Sequence, residues 1–179
     1  VASLLKKYDI DAIDIAPGKY FANYQTVSTS EIDSVRNWWL ERGITITGMQ
    51  ALLFGTTGLN MFGTETVQGT MLSHFVDICR IGERLGATKL VFGSPKNRDR
   101  SSLSDAQATN EAILFFRSLG DIAHRHSVTI CLEPNPTRYG ANFMTNSTET
   151  AAIVRDVSHP SIRMQLDTGA MTINGEDPF

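Results

Sequence analysis

Apolar positions along the chain follow two periods. Val67, Met71, Phe75, Ile78, Gly82 and Leu85 recur at steps of three or four, which predicts one buried helix face. Thr64 caps that helix and Gly86 stops it. Ser104 and Gln107 form a capping-box pair opening a second helix that buries Ala112, Phe115, Phe116, Leu119, Ile122 and Ala123. Ser30 is the expected N-cap of a helix carrying Ile32, Val35, Trp38 and Trp39 and ending at Arg42-Gly43. A further helix is expected from about Thr148 to Val157, and Val1 to Tyr8 reads as the end of another. Between the helices lie short apolar runs with the character of buried strands: Ala12–Ala16, Ile44–Leu53, Lys89–Phe92, Val128–Leu132 and Ile162–Leu166. Pro17-Gly18 ends the first and Gly93-Ser94-Pro95 the third.

Strand and helix therefore alternate, which implies right-handed βαβ units and a parallel sheet. Connections from helix back to strand are short, as at Gly43 and His126-Ser127. Connections from strand to helix are long: Gly55 to Gly63, Gly93 to Leu103 and Pro134 to Asn146. Long loops in a compact domain tend to carry function. These loops all leave the C-terminal edge of the strands, where parallel α/β proteins keep their sites. Asp14, Gln50, Ser94, Lys96, Glu133 and Asp167 fall at that edge. The pattern suits a small doubly wound sheet or part of an eight-stranded barrel, and does not separate them. No Gly-rich fingerprint follows any strand, which argues against a dinucleotide site.

Composition narrows the function classes. The 179 residues suffice for one domain with a full core. The net charge of −3, with both signs interspersed, offers no basic footprint for nucleic acid. No apolar run approaches the roughly 20 residues of a membrane span, and no export leader is apparent at the N-terminus. Cys79 and Cys131 have no metal or redox spacing and read as small core hydrophobes, so a reducing, cytoplasmic setting is the default expectation.

The chemistry concentrates in two stretches. Thr129 to Pro136 is a strand that ends on Glu133 and is cut off by Pro134 and Pro136. Ile162 to Gly169 repeats the pattern, ending on Asp167. Two carboxylates at the ends of neighbouring parallel strands meet in space, and as hard oxygen donors they suit a divalent ion. The plainer reading of the pair is two polar strand ends, hydrogen-bonded or solvated. Lys96 and Arg98, in the loop after the third strand, are candidates to meet a substrate phosphate or carboxylate; a solvated charged loop with Asp99 and Arg100 is the alternative. Arg138, Tyr139 and Asn142, in the loop after Glu133, are candidates to contact a substrate as a lid. Asp14 is expected to fix a neighbouring strand. Trp38 and Trp39 are adjacent on one helix and cannot share a face, so one is core and the other covers a contact. The four histidines read as surface or boundary groups, His74 beside Phe75 being the best placed for burial.

At Leu132-Glu133-Pro134-Asn135-Pro136 and Leu166-Asp167-Thr168-Gly169 the chain resembles the xylose isomerase-like TIM-barrel superfamily, of the AP endonuclease family 2 type. Ile13 to Pro17 and Leu90 to Lys96 are similar to its sugar phosphate isomerase/epimerase members. The resemblance implies an incomplete (β/α)8 barrel, one domain over 1–179, holding strands two to six. It implies that Glu133 and Asp167 are two of four metal ligands, and that a His and a Glu come from strands beyond Phe179. It further implies a divalent cofactor (Mn, Mg, Co or Zn) and a catalytic Glu133 that serves as ligand and base, giving an enediolate. Ala170 stands where many members have a His, and Phe92-Gly93 where endonuclease IV has one, which argues against a DNA-repair nuclease.

The function this resemblance implies is a metal-dependent sugar or sugar phosphate isomerase/epimerase, with a sugar, sugar phosphate or cyclitol as partner. An inosose-type dehydratase of the same superfamily starts with the same proton removal. A truncated or polyol-binding chain without catalysis is the competing class. Unpaired strand edges at both ends are expected to favour association, including a homo-oligomer.

Overall fold

The computed structural model describes residues 1–177. Its helices are α1 (Ala2–Lys7), α2 (Thr29–Leu40), α3 (Glu65–Leu85), α4 (Asp105–Arg125), α5 (Ser147–Val157) and α6 (Thr168–Asn174). The strands β1 (Ala12–Ile15), β2 (Thr45–Met49), β3 (Lys89–Phe92), β4 (Thr129–Leu132) and β5 (Ile162–Met164) form one parallel sheet in the order β1-β2-β3-β4-β5. That order decides between the two architectures the pattern left open. A doubly wound sheet reverses its strand order at a switch point and takes helices on both faces. Here each strand adds beside the last, and crossovers of one hand bring every connecting helix to the same face. The fold is α/β, five strands of a (β/α)8 barrel.

Burial along the strands follows from this. Ile46, Leu90, Phe92, Ile130 and Leu132 are buried under the helices, while Thr45, Thr47 and Lys89 on the opposite face are exposed. The centre of the core is aromatic. Phe92 stacks on Phe75 of α3 with centroids 5.7 Å apart and meets Phe116 of α4 edge-on at 5.5 Å. Cys79 and Cys131 are buried free thiols, and burial pushes the Cys79 thiol up to about 12, so both behave as core hydrophobes. Trp39 is buried and its indole N–H donates to the Tyr20 hydroxyl; Trp38 is exposed under the Arg42 guanidinium. His74 is half-buried, with Nε2 2.9 Å from the Leu52 carbonyl oxygen. No helix among the described residues is long and apolar enough to cross a membrane.

Several boundaries differ from the pattern. Helix α2 is capped by Ser28, not Ser30: Ser28 Oγ accepts from Glu31 N–H while Glu31 Oε2 accepts from Ser28 N–H. Only Ser28 has a glutamate three residues on, so the reciprocal box forms there and Ser30 falls inside the first turn. The second strand stops at Met49 rather than running to Leu53. Ala51 takes a φ of +54° and turns the chain, yet Leu52 and Leu53 still pack into the core, which is why the run reads as strand. The last strand ends at Met164, and α6, capped by Asp167, was not expected. The Ser104–Gln107 box on α4 is present as read. Replacing Ser104 by Ala is expected to cost about 1 kcal/mol in urea unfolding, with the native far-UV spectrum retained.

Candidate functional site

The β4 ladder carries the chain directly to Glu133, whose N–H still donates to the Phe92 carbonyl oxygen at 3.0 Å. Pro134 and Pro136 have no N–H to continue it, and the chain turns away with Asn135 N–H bonded to the Met144 carbonyl oxygen. On β5, Gln165 N–H donates to the Leu132 carbonyl oxygen, so Asp167 leaves the sheet beside Glu133 at the same C-terminal rim. Side chains alternate along a strand, which puts 129, 131 and 133 on the face opposite the helices.

Glu133 feels the charge of Asp167. Glu133 is half-buried and its pKa is raised, first by loss of solvent and also by the negative charge of Asp167; the Asn135 amide and the Arg98 charge pull the other way. Each carboxylate has one anchored oxygen and one spare. Glu133 Oε2 accepts from Asn135 Nδ2 at 3.0 Å, and Asp167 Oδ1 accepts from the N–H groups of Gly169 and Ala170 at 2.8 and 3.2 Å. Among the described residues, Glu133 Oε1 and Asp167 Oδ2 take no hydrogen bond. Two hard oxygens held from behind at one rim fit a divalent cation as two of its ligands. No third His, Cys, Asp or Glu joins them in a metal-sized group among the described residues.

Glu133 also lines a cavity of about 230 Å³ at the rim, with Gln50, Phe54, Val91, Gly93 and Ser94. The β2–α3 turn at Ala51 presents Phe54 there, 79% exposed. A larger cavity of about 560 Å³, between the start of α4 and the β4–α5 loop, includes Asn142 but not Glu133. Of these two cavities, the smaller contains one of the paired carboxylates.

The other expected site residues scatter. Lys96 and Arg138 are exposed on the loops after β3 and β4. Arg98 does not stand at the loop mouth: it is fully buried, with Nη1 donating to the Glu133 carbonyl oxygen and Nη2 to Asn135 Oδ1, both at 2.8 Å. A turn of 3-10 helix at Pro95–Arg98 points it inward, so a charge that reads as a surface group in sequence is spent on the segment bearing Glu133. Asn142 is occupied in joining the two loops; its amide donates to Asp99 and accepts from Arg100 N–H. Asp14 accepts from Thr47 Oγ1 at 3.2 Å and packs against Gly48, fixing β1 to β2. Asn135 and Gly93 were not singled out from sequence, although Asn135 lies within the stretch that identifies the site.

Strand order, one-sided helices and a carboxylate pair at the C-terminal rim define a segment of a parallel α/β barrel with an acidic site at its mouth. The chain belongs to the xylose isomerase-like TIM barrel family, whose family profile matches residues 2–179. Among solved structures it is similar to a D-psicose 3-epimerase crystallised with D-fructose, with a TM-score of 0.78 at 19% identity over 98% of this chain and 60% of that one. It is similar to the 3-keto-D-glucoside 4-epimerase of E. coli, with a TM-score of 0.76 at 16% identity over 98% and 65% of the two chains. The zinc-bound IolI protein gives a TM-score of 0.74 at 18% identity over 98% and 59%. The chain thus spans less than two thirds of the length of these relatives, and at such identities the likeness is one of fold. No curated protein matches the sequence at a significant level.

Proposed function

We propose that the complete protein is a metal-dependent isomerase or epimerase of a sugar, sugar phosphate or cyclitol, with Glu133 and Asp167 as two of the metal ligands. The observation that carries this reading is the pair of carboxylates at one rim, each with one oxygen pinned by an N–H donor and the other open. A divalent ion bound there would supply Lewis-acid polarisation of a substrate carbonyl, acidifying the adjacent C–H. Glu133 is the base that removes that proton and returns it. A carboxylate that lines the rim cavity, with one oxygen held by Asn135, is placed to take and return a proton from a substrate bound there. The rim cavity beside Glu133 is bounded by the exposed ring of Phe54 and the polar ends of Gln50 and Ser94, surfaces able to take the C–H and hydroxyl groups of a polyol. Lys96, exposed on the loop after β3, is assigned to a substrate phosphate or carboxylate, and Arg138, exposed on the loop after β4, to a polyol as part of a lid.

The fold likeness to epimerases supports the reaction class without choosing the substrate. Mn²⁺ titration of the full-length protein tests the ligand pair. Glu133→Gln and Asp167→Asn should each weaken binding by at least about tenfold, because each removes a charged oxygen donor. Affinity unchanged in both variants would remove the metal site and the mechanism with it.

A further inference from the structure

We propose that Asn135 and Arg98 are positioning residues that hold the Glu133 carboxylate in its metal-binding orientation. The inference rests on the reading of Glu133 as a ligand and extends it to the side chains behind it.

The anomaly that demands an explanation is Arg98. It is the largest of the fully buried side chains. Burying a guanidinium is costly unless its donors are used, and here no carboxylate lies within ion-pair distance among the described residues. Among the described residues Nε takes no hydrogen bond. What the guanidinium does is grip two neutral oxygens, both on the Glu133–Asn135 segment: the Glu133 carbonyl oxygen and Asn135 Oδ1.

That grip sets the direction of the Asn135 amide. The guanidinium is a donor only, so it faces Oδ1 and leaves the NH2 group on the far side. There Nδ2 reaches Glu133 Oε2 at 3.0 Å and the Pro134 carbonyl oxygen at 3.1 Å. Asn135 is itself buried, flanked by two prolines and tied through its N–H to Met144. One buried unit thus fixes Glu133 at both its main chain and its side chain. It leaves Oε1, on a side chain that lines the rim cavity, free of hydrogen bonds among the described residues. A carboxylate held by an oriented donor meets a cation without first being ordered, which is how outer partners strengthen metal sites.

The test is a thermodynamic cycle in the full-length protein, with Mn²⁺ as the probe and affinity read by titration. Asn135→Ala should weaken Mn²⁺ binding roughly tenfold in the wild-type background. It should produce no further loss in Glu133→Gln, where the carboxylate it orients is gone. A urea melt without metal reports separately on any structural role. Equal losses in the two backgrounds, or no loss in either, would overturn the proposal. If Glu133→Gln binds Mn²⁺ as well as wild type, the ligand reading itself fails, an outcome distinct from the others. Should Asn135→Ala not fold, Arg98→Lys takes its place, since it keeps the buried charge but cannot make the forked grip; the same pattern of coupling is expected and the same equal losses would refute it.

Discussion

Phe92→Ala is expected to destabilise the protein by about 3–5 kcal/mol. Phe92 is 1% exposed and sits where β3 meets two helices at once, stacked on Phe75 and edge-on to Phe116. Truncation removes the transfer free energy of a whole ring and leaves a cavity between elements that regular packing prevents from closing. It also breaks two aromatic pairs, each contributing about 0.5–1.5 kcal/mol beyond area burial. For a domain of this size the midpoint of thermal unfolding should fall by on the order of 10 °C. Phe54→Ala is the control. That ring is 79% exposed, and its loss should move stability by no more than about 0.5 kcal/mol. A Phe92→Ala protein that melts within a degree or two of wild type would show that β3 is not the centre of this core.

The ring and its neighbours were legible in the sequence, because helix and strand periods dictate which residues must be buried together. Phe75, Phe115 and Phe116 fall on apolar stripes, and Phe92 ends an apolar run cut by Gly93-Ser94-Pro95. The carboxylate pair was legible for a related reason: a strand that ends on an acid and is closed by proline or a turn puts that acid at a rim. What periodicity does not carry is the direction of side chains in irregular segments. Arg98 reads as a surface cation because nothing local says that the short helical turn at Pro95–Arg98 faces inward. Asn135 reads as a loop residue because its donor role depends on Arg98 reaching it from another loop. Ser30 reads as the cap that Ser28 provides because the reciprocal Glu31 contact, not the serine alone, selects the position. Leu52 and Leu53 looked like strand since burial in a turn and burial in a strand leave the same apolar mark.

Gly93→Val should weaken Mn²⁺ binding at least as much as Glu133→Gln, by about tenfold or more, and for a steric reason alone. Gly93 lies beyond the last residue of β3, under the Glu133 side chain. Its φ lies outside the left-handed region, so no positive-φ strain opposes a side chain there. The obstacle is space: a Cβ built at Gly93 would overlap Glu133 Oε2 and stand 3.1 Å from its Cδ. Oε2 is the oxygen held by Asn135, so the valine must push the carboxylate off the one donor that orients it. Glu133 is only half-buried and can swing toward solvent, which relieves the clash without disturbing the core. The fold should therefore survive with a thermal midpoint within a few degrees of wild type while metal binding is weakened. The added methyl groups also fill part of the 230 Å³ rim cavity, which Gly93 helps to line. Mn²⁺ titration and a thermal melt on the same full-length variant separate the two effects. Wild-type Mn²⁺ affinity in Gly93→Val would mean that the ion does not bind at the Glu133 carboxylate, whereas loss of both binding and stability would mean that Glu133 cannot move aside and is held as rigidly as the core beneath it.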